Sequence, residues 1–235
     1  HRGKGLMKLK ASKRFKKLLE ISKAKKIETI EEAIKKVKKN CTTKFDESID
    51  VSFNLNLKRK KEEFGLRTSV NLPNGNGKKI KVAVLCEDTK INEAKSAGAD
   101  LTNSESLITD ITNKKINFDK LVATPAMMSK MGKLGKILGP KGLMPNPKLG
   151  TVTNDVQAIV KALKTGQIEI KNDPDGNVAA SIGKKNFPVE KIHENYKAIL
   201  ETILREKPNN IKGNFILSAF LTSTMGISYK LKLEK

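Results

Sequence analysis

Residues 48–57 have the sequence SIDVSFNLNL, in which apolar and polar residues alternate without a break. This period of two predicts a β-strand with one face in a hydrophobic core and the other face exposed. The residues predicted to be buried are Ile49, Val51, Phe53, Leu55 and Leu57. The opposite side carries only Ser, Asp and Asn, so the exposed face is predicted to be polar and nearly uncharged.

A different kind of strand is predicted from residue 69 onward. After the turn PNGNG, the stretch KIKVAVLC (79–86) is almost continuously apolar, which is typical of a strand covered on both faces. Helices at 91–97 and 104–111, a second buried strand DKLVAT (119–124) and a helix AMMSKM (126–131) follow. Alternation of strand and helix predicts a parallel, doubly wound sheet.

The segments on either side of residues 69–152 predict an antiparallel arrangement. A capping box at Thr29–Glu32 begins one helix, and Val156 begins another that ends at Gly166. The stretches QIEIK and VAASIG flank the turn NDPDGN and predict an antiparallel hairpin. A long helix over 189–205 precedes two more strands, in NFILSAFL and ISYKLKL.

These elements predict a discontinuous domain. When residues 69–152 are left out, the remaining elements follow the order strand-helix-strand-strand-helix-strand. This is the order of a split β-α-β sandwich. We therefore predict a basic N-terminal arm at 1–28, a discontinuous domain formed by 29–68 plus 153–235, and an inserted domain at 69–152.

The charge of the chain indicates a polyanionic partner. The 235 residues include 47 basic and 25 acidic ones, a formal net charge of +22, which favours nucleic acid or an anionic membrane. No apolar run approaches the ~20 residues that span a bilayer, and the basic arm has few bulky apolar anchors, so we predict no membrane partner. Residues 69–152 account for +6, which leaves +16 of the +22 for the remainder. The discontinuous domain is therefore predicted to be the main polyanion binder.

The types of basic and aromatic residue indicate how a nucleic acid is recognised. Five of the 47 basic residues are Arg and the other 42 are Lys, while aromatic residues make up 4% of the chain and Trp is absent. Successive unpaired bases stack on aromatic rings, and bidentate contacts to base edges favour Arg over Lys. We therefore predict a folded RNA, bound through its phosphates, sugars and shape.

The chain offers little material for catalysis. Cys41 and Cys86 lie far apart and outside any CxxC pattern, and the only histidines are His1 and His193. We predict no catalytic residue, no metal site and no cofactor, with both cysteines buried as small apolar side chains. The alternative is a nucleotide-binding enzyme that uses the parallel sheet. It would require a phosphate-binding glycine turn after KVAVLC, where the sequence has EDTK.

The segment LGPKGLMPNPKLGTV (138–152) is too rich in Gly and Pro for a regular helix or strand, yet it carries several apolar residues. Its spacing does not match the phosphate loop of nucleoside triphosphatases, and Pro140 removes an amide donor. The tetrapeptides GKLG and GPKG are similar to the RNA-clamping loop of KH domains, but the predicted strand order does not fit that fold. A rigid structural loop and a polyanion contact both remain open.

Two shorter features also admit two interpretations. The segment TSTMG (222–226) is either a tight turn or a contact in which Thr224 hydrogen-bonds a 2′-OH. Phe45 is either a core residue or an exposed ring that packs on a ribose or base.

The segment GKLGKILGPKGLMPNPKLGTVT (132–153) closely resembles the signature of the L-one stalk family of large-subunit ribosomal proteins. TKFDESIDV, VAVLC, EAKSAGAD, INFDKLVATPAMM and KGNFILSAFLTSTMG resemble the same family in the same order, over nearly the whole chain. The resemblance implies an α/β (α+β) fold, with a discontinuous split β-α-β sandwich domain that carries an inserted Rossmann-like three-layer α/β domain.

The resemblance also implies a function. Members of this family are structural constituents of the large ribosomal subunit that bind folded rRNA and form the mobile stalk beside the exit site. The implied partners are the stalk region of the rRNA, the exit-site tRNA and other ribosomal proteins. The family assists the release of this tRNA. A further implied partner is the protein's own mRNA, whose translation it would repress. The resemblance favours the contact interpretation of TSTMG and an exposed Phe45.

The implied site residues follow from the matching positions. The rRNA contacts implied are Lys44, Phe45, Ser48, Asp50, Lys171, Lys184, Ser218, Thr224, Met225 and Gly226. The resemblance also marks a loop of the inserted domain, at Gly139, Lys141, Gly142, Asn146 and Lys148. The partner of this loop is left open: it either packs against the other domain or contacts tRNA. Ser48 and Asp50 stand where the family usually has Thr and Glu, and KRKKEEFGLR replaces the usual hinge, so the hinge geometry and the repressor role are open.

The compartment is predicted from two short motifs and from the amino-acid composition. ASKRF and LRTSVNLP resemble plastid members of the family, and the composition is rich in Lys and Asn. We expect a ribosome in an organelle, with the plastid type favoured, or in the bacterial cytoplasm.

Overall fold

The structure is a computed structural model that describes residues 12–13, 16–17, 27–41, 46–57, 65–209, 211–224 and 226–233. Its strands are β1 (Ser48–Leu55), β2 (Arg67–Asn71), β3 (Val82–Leu85), β4 (Lys120–Ala123), β5 (Gln167–Lys171), β6 (Asn177–Lys184), β7 (Ile216–Ser223) and β8 (Tyr229–Lys230). Its α-helices include α1 (Ile30–Asn40), α2 (Ile91–Ser96), α3 (Ser104–Thr112), α4 (Met128–Met131), α5 (Gly135–Leu138), α6 (Val156–Thr165) and α7 (Val189–Arg205). Short 3-10 turns cover Asp88–Lys90, Pro125–Met127 and Pro147–Leu149. The mixed α/β class predicted from the sequence is confirmed.

The largest sheet among the described residues is antiparallel, in the order β6-β1-β7-β8. β1 lies between two strands that come much later in the chain and pairs with both of them along its length. Burial alternates along β1, with Ile49, Val51, Phe53 and Leu55 in the core and the residues between them half-exposed. The alternation in the sequence therefore predicted the orientation of this strand correctly.

Helices α1 and α7 cover the inner face of this sheet. α1 begins after Thr29, whose hydroxyl accepts a hydrogen bond from the backbone N–H of Glu32 (3.4 Å), as the capping box predicts. α7 has the bounds expected from the sequence and packs its buried residues into the same core as β1. The ring of Tyr196 stacks on Phe53 with the centroids 5.9 Å apart, so this helix is fixed to the centre of the sheet.

β3 and β4 form a parallel pair whose apolar residues are covered on both sides. On one side, Ala83 and Leu85 pack with side chains of α3, α4 and α5. On the other side, Val82 and Val84 pack with side chains of α2 and α6. This double coverage explains why KIKVAVLC is almost continuously apolar.

The hairpin predicted for residues 167–183 is wrong. β5 pairs antiparallel with β2, a strand that the sequence did not predict, whereas β6 pairs with β1. The intervening turn does form, because the Asp173 carboxylate accepts hydrogen bonds from the backbone N–H groups of Asp175 (3.0 Å) and Asn177 (2.8 Å). Beyond one bridge between Asn172 and Val178, the two strands separate into different sheets.

The chain passes from β2 to β3 through the turn at 73–77, and one buried side chain holds this turn. The Asn195 side chain is fully buried; its amide donates to the carbonyls of Gly75 (2.7 Å) and Ile182 (2.8 Å), and its oxygen accepts from Asn74 N–H (3.2 Å). Gly166 lies against the same turn, where an added Cβ would be 2.6 Å from Gly75 Cα. The turn is therefore fixed both to α7 and to the end of α6.

Both cysteines are buried, as predicted, and neither forms a disulfide. Within the described ranges, no helix has both the length and the apolar character that crossing a bilayer requires.

Asn195→Ala tests the role of this turn. The substitution leaves the Gly75 and Ile182 carbonyls and the Asn74 N–H without their partner, so we expect the free energy of unfolding to fall by about 2–4 kcal/mol in urea titration. Lys197→Ala, an exposed position on the same helix, is the control and should change it by less than about 0.5 kcal/mol. Equal, small effects of both substitutions would contradict this role.

Candidate nucleic-acid interface

The outer face of the four-stranded sheet is polar along its central strand. The outward residues of β1 are half-exposed because their neighbours along the strand point into the core. These outward residues are Ser48, Asp50, Ser52 and Asn54. Two of them, Ser48 and Asp50, were predicted as contacts.

The neighbouring strands extend this face with more small polar groups. On β7, Ser218 lies opposite Asn54 and Thr222 lies opposite Asp50. On β6, Ser181 lies opposite Asp50, and Lys184 lies opposite Ser48 at the end of the strand. We call this surface the polar face, formed by Ser48, Asp50, Ser52, Asn54, Ser181, Lys184, Ser218 and Thr222. It brings together Ser48, Asp50, Lys184 and Ser218 of the predicted contacts.

Two further residues at this face were not predicted. Phe220 is half-exposed and lies opposite Ser52, and Lys230 of β8 is exposed and lies opposite Phe220. The alternation of Ser218, Phe220 and Thr222 in the sequence was the available signal. An aromatic ring on this otherwise polar strand surface provides an apolar contact for a sugar or base.

The segment after β7 is anchored beside the start of β1. The Thr224 hydroxyl accepts from Ser48 N–H (3.2 Å) and lies 3.3 Å from the Ser48 carbonyl, to which it donates. Gly226 N–H donates to the Ser223 carbonyl (3.2 Å), and an added Cβ at Gly226 would lie 2.1 Å from Ser223 Oγ. A side chain at Gly226 would therefore force the Ser223 hydroxyl to move, while the exposed Thr224 lies at the edge of the polar face.

The remaining predicted contacts are placed differently. Lys44, Phe45 and Met225 lie outside the described residues. Lys171 is exposed at the end of β5, opposite Arg67, and so belongs to the β2–β5 sheet rather than to the polar face.

Asp50 carries the carboxyl group of the polar face. Its partial burial raises its pKa above the ordinary value, and the Lys78 ammonium and the Ser181 hydroxyl, which act in the opposite direction, compensate only in part. In the folded protein without a partner, partial burial therefore destabilises the charged form of this carboxyl group. The group lies at the centre of a surface of hydroxyls and amides.

The loop of Gly139, Lys141, Gly142, Asn146 and Lys148 does not lie on the polar face. Asn146 is structural: its side-chain oxygen accepts from Lys148 N–H (2.8 Å), and its backbone N–H donates to the Thr151 hydroxyl (2.8 Å). Gly142 has φ +68°, a left-handed conformation that favours glycine. Gly139 is close-packed, since an added Cβ would lie 2.8 Å from the Gly135 carbonyl.

The apolar residues of this segment explain its unusual composition. Leu138 and Leu149 are buried, and Leu143 and Met144 pack against the core around β3 and β4. The Leu149 carbonyl accepts from the Gln167 side chain (3.4 Å), so the back of the loop contacts β5. Lys141 and Lys148 remain exposed on its outer side.

The ion pair between Lys164 and Asp100 is structural. The Lys164 ammonium lies 2.5 Å from Asp100 Oδ2 and also donates to the Ile80 carbonyl (2.8 Å), which fixes α6 to the start of β3. This ammonium is the main reason why the pKa of Asp100 is lowered. In the part of the chain that the structure describes, no group of three or more His, Cys, Asp or Glu side chains is placed to hold a metal ion.

Comparison with known proteins gives consistent matches over nearly the full length. A model of the "Ribosomal protein L1p/L10e family" matches residues 37–227. The large ribosomal subunit protein uL1 of Pelagibacter ubique is 56% identical over 225 residues, which cover 95% of this chain and 98% of that protein. The uL1 protein of Mesoplasma florum is 44% identical, with 96% and 99% covered. The uL1c protein of Phaeodactylum tricornutum is 45% identical, with 96% and 98% covered.

Asp50→Asn tests the cost of the carboxylate. A carboxyl whose pKa is raised on folding destabilises the folded state at pH values above that raised pKa, and has no such effect below its ordinary value of about 4. We expect Asp50→Asn to increase the free energy of unfolding at pH 7 by up to about 1 kcal/mol, allowing for solvent screening, and this gain to vanish as the pH falls to about 4. Urea titrations across this range measure it.

The exposed Asp46 gives a matched control. Asp46→Asn should leave the free energy of unfolding within about 0.5 kcal/mol of the wild-type value at each pH. A loss of stability in Asp50→Asn at pH 7 would show that the carboxylate supports the fold instead.

Proposed function

Because the chain belongs to the Ribosomal protein L1p/L10e family, we propose that it is a structural component of the large ribosomal subunit and binds folded rRNA through the polar face. The observation that carries the proposal is a sheet surface of hydroxyls and amides with a lysine at its edge. It also contains one carboxylate, that of Asp50, whose charged form is destabilised by partial burial. Such groups match the sugar hydroxyls and phosphates of a folded RNA.

Family membership bears on the other predicted functions. It confirms the resemblance read from the signature at residues 132–153 and the prediction that the chain is not an enzyme. The alternative of a nucleotide-binding enzyme receives no support from these matches. The proteins named uL1 and uL1c support a ribosomal location. Because the 56% identical relative is bacterial, these matches do not favour a plastid ribosome over a bacterial one.

The proposed binding mode depends on geometry more than on charge. The small side chains of the polar face let an RNA surface approach the sheet closely, where hydroxyl and amide groups exchange hydrogen bonds with 2′-OH groups. Asp50 accepts such bonds, and its desolvation cost is then offset by donors from the RNA. Thr224 and Lys184 lie on either side of Ser48, at the same end of the surface. Thr224 and Gly226 form its edge beside β7, and Lys184 is the phosphate contact on β6.

We assign the remaining predicted contacts to the same function. Lys44, Phe45 and Met225 are proposed to contact rRNA on the basis of the family pattern. Lys171, which is exposed on the β2–β5 sheet, is proposed as a separate phosphate contact. Phe220 and Lys230 are added to the site because they share the outer surface of β7 and β8.

We propose the domain division that the sequence predicted, with the first boundary moved from residue 68 to Leu72 and the second boundary moved from residue 152. The core beneath the polar face combines residues up to Leu72 with residues from Ile170 onward, which supports a discontinuous split β-α-β sandwich. Separate clusters surround β3 and β4, which supports an inserted Rossmann-like three-layer domain. Since α6 packs on β3 through residues such as Val160, we place the second boundary near Gly166 instead of at residue 152.

We extend the proposal to the partners implied by the family resemblance. The bound rRNA is the stalk region beside the exit site, and the assembled stalk assists the release of deacylated tRNA. The exposed Lys141 and Lys148 of the inserted-domain loop are available for tRNA, because the back of this loop already contacts β5. A messenger with a similar folded surface would be bound and repressed by the same polar face.

The salt dependence of rRNA binding tests the proposal. We expect the logarithm of the association constant for a stalk-rRNA transcript to fall linearly with the logarithm of salt concentration, by about 0.7–0.9 per phosphate contacted. Filter binding at several salt concentrations measures this slope. Tight binding that is insensitive to salt, or no binding at all, would contradict the proposal.

Ser52→Glu tests the location of the site. Ser52 is half-exposed at the middle of β1, so a glutamate there adds a charge that RNA phosphates repel without entering the core. We expect the affinity for the transcript to fall at least about tenfold, with the melting temperature nearly unchanged.

The control is Ser106→Glu, which adds the same charge at an exposed position on α3. It should leave the affinity within about twofold of the wild-type value. Equal losses in both variants would show that net charge, and not the polar face, determines binding.

A further inference from the structure

A cleft opens where the turn at 73–77 meets β5 and β6. It has a volume of about 550 Å³ and adjoins a second hollow of about 600 Å³, with residues 77–80 shared between them. We call the two together the basic cleft. Its lysines are Lys78, Lys79, Lys120, Lys164 and Lys184.

Three of these lysines are available for a ligand. Lys164 is engaged by Asp100, and the Lys120 ammonium lies 3.9 Å from Glu169, a carboxylate that Arg67 already holds at 2.9 Å. Among the described residues, Lys78, Lys79 and Lys184 form no ion pair with a carboxylate. The cleft therefore carries an excess of positive charge.

The acidic groups at the cleft do not cancel this charge. Asp119 lines the second hollow, where its carboxylate accepts a hydrogen bond from Lys81 N–H (2.9 Å), and its single negative charge offsets only one of the three available lysines. Asp50 of β1 is paired with Ser181, which lines the cleft, and is close enough to Lys78 for the ammonium to lower its pKa against the effect of burial. The basic cleft and the polar face are thus neighbouring surfaces.

The wall of the cleft is fixed before any ligand arrives. The turn that precedes Lys78 is held by the three hydrogen bonds of Asn195. At Gly77, with φ +75°, an added Cβ would lie 3.1 Å from Lys184 Cγ, so the stem of Lys184 packs over the turn. Because the backbone is fixed, a ligand has to order only the lysine side chains.

We propose that the basic cleft binds the backbone phosphates of the same folded rRNA that covers the polar face, through Lys78, Lys79 and Lys184. This inference rests on the proposed function and deepens it, since it separates two tasks. The polar face recognises sugars and shape, and the cleft, which shares Lys184 with that face, supplies most of the charge neutralisation.

The chemistry of the cleft fits an RNA backbone better than a small ligand. Sites for small molecules are mostly apolar cavities with a few convergent polar groups. This cleft has apolar side chains such as Leu163 and Ile168 on part of its wall, but lysines, glycine backbone and asparagine side chains make up much of the rest. Lysine ammoniums act as point charges on phosphates and require no particular base.

The test compares three variants in stalk-transcript binding across a salt series. The double variant Lys78→Gln, Lys79→Gln should reduce the salt slope by about 1.5, the loss of two phosphate contacts. Lys114→Gln, Lys115→Gln removes the same charge from an exposed adjacent pair after α3 and should leave the slope unchanged. Asn54→Ala on the polar face should weaken binding at an unchanged slope.

The outcomes separate this inference from the proposed function. If the wild-type protein binds and Lys78→Gln, Lys79→Gln retains its full slope, the cleft assignment is overturned and the polar face stands. If the wild-type protein does not bind the transcript, the proposed function fails and this inference fails with it. Equal slope changes in both double variants would also overturn it, because net charge alone would then explain the loss.

A second arm distinguishes RNA phosphates from free ones. Calorimetric titration of the wild-type protein with inorganic phosphate or ATP should show no saturable binding tighter than millimolar. Micromolar binding of ATP that Lys78→Gln, Lys79→Gln abolishes would overturn the proposal in favour of a small-molecule site.

Discussion

The pairing of β1 with β6 on one edge and β7 on the other is the constraint on which the structure depends. It joins an early strand to two late ones, so the core beneath the sheet cannot form until most of the chain has been made. A slip of one residue in β1 would turn Val51 and Phe53 outward and the polar residues inward. Burial of these apolar side chains therefore fixes the position of the polar face.

The same pairing explains how a strongly basic protein has a nearly neutral candidate site. Apart from Phe220, the outward residues of the paired parts of β1 and β7 have small polar side chains that an RNA surface can approach closely, and the lysines lie at the edges and in the basic cleft. Short-range hydrogen bonds then distinguish the correct folded RNA, whereas the lysines provide affinity for any phosphate backbone. Asp50 fits this division between short-range hydrogen bonds and long-range charge. The free-energy cost of its partial burial is offset only by a partner that presents hydrogen-bond donors at that position.

Features with a local physical cause could be predicted from the sequence. The alternation at 48–57, the capping box at Thr29 and the period of the helix at 189–205 each gave the correct element. The supposed hairpin at 167–183 failed because β5 and β6 take different partners, β2 and β1, and the choice between a local and a distant partner is not encoded in the turn. β2 itself was missed since its residues have weak alternation. In the candidate site, Ser48 and Asp50 came from the family resemblance, while Phe220 was detectable from its own strand and was overlooked.

The most direct test of the account is photochemical cross-linking of the purified chain to its stalk rRNA, with the cross-linked peptides identified by mass spectrometry. The account predicts that cross-links concentrate in peptides containing β1, β6 and β7, and in the peptide that follows the turn at 73–77. Cross-links confined to the exposed surface of α7, which lies on the opposite side of the sheet, would contradict it.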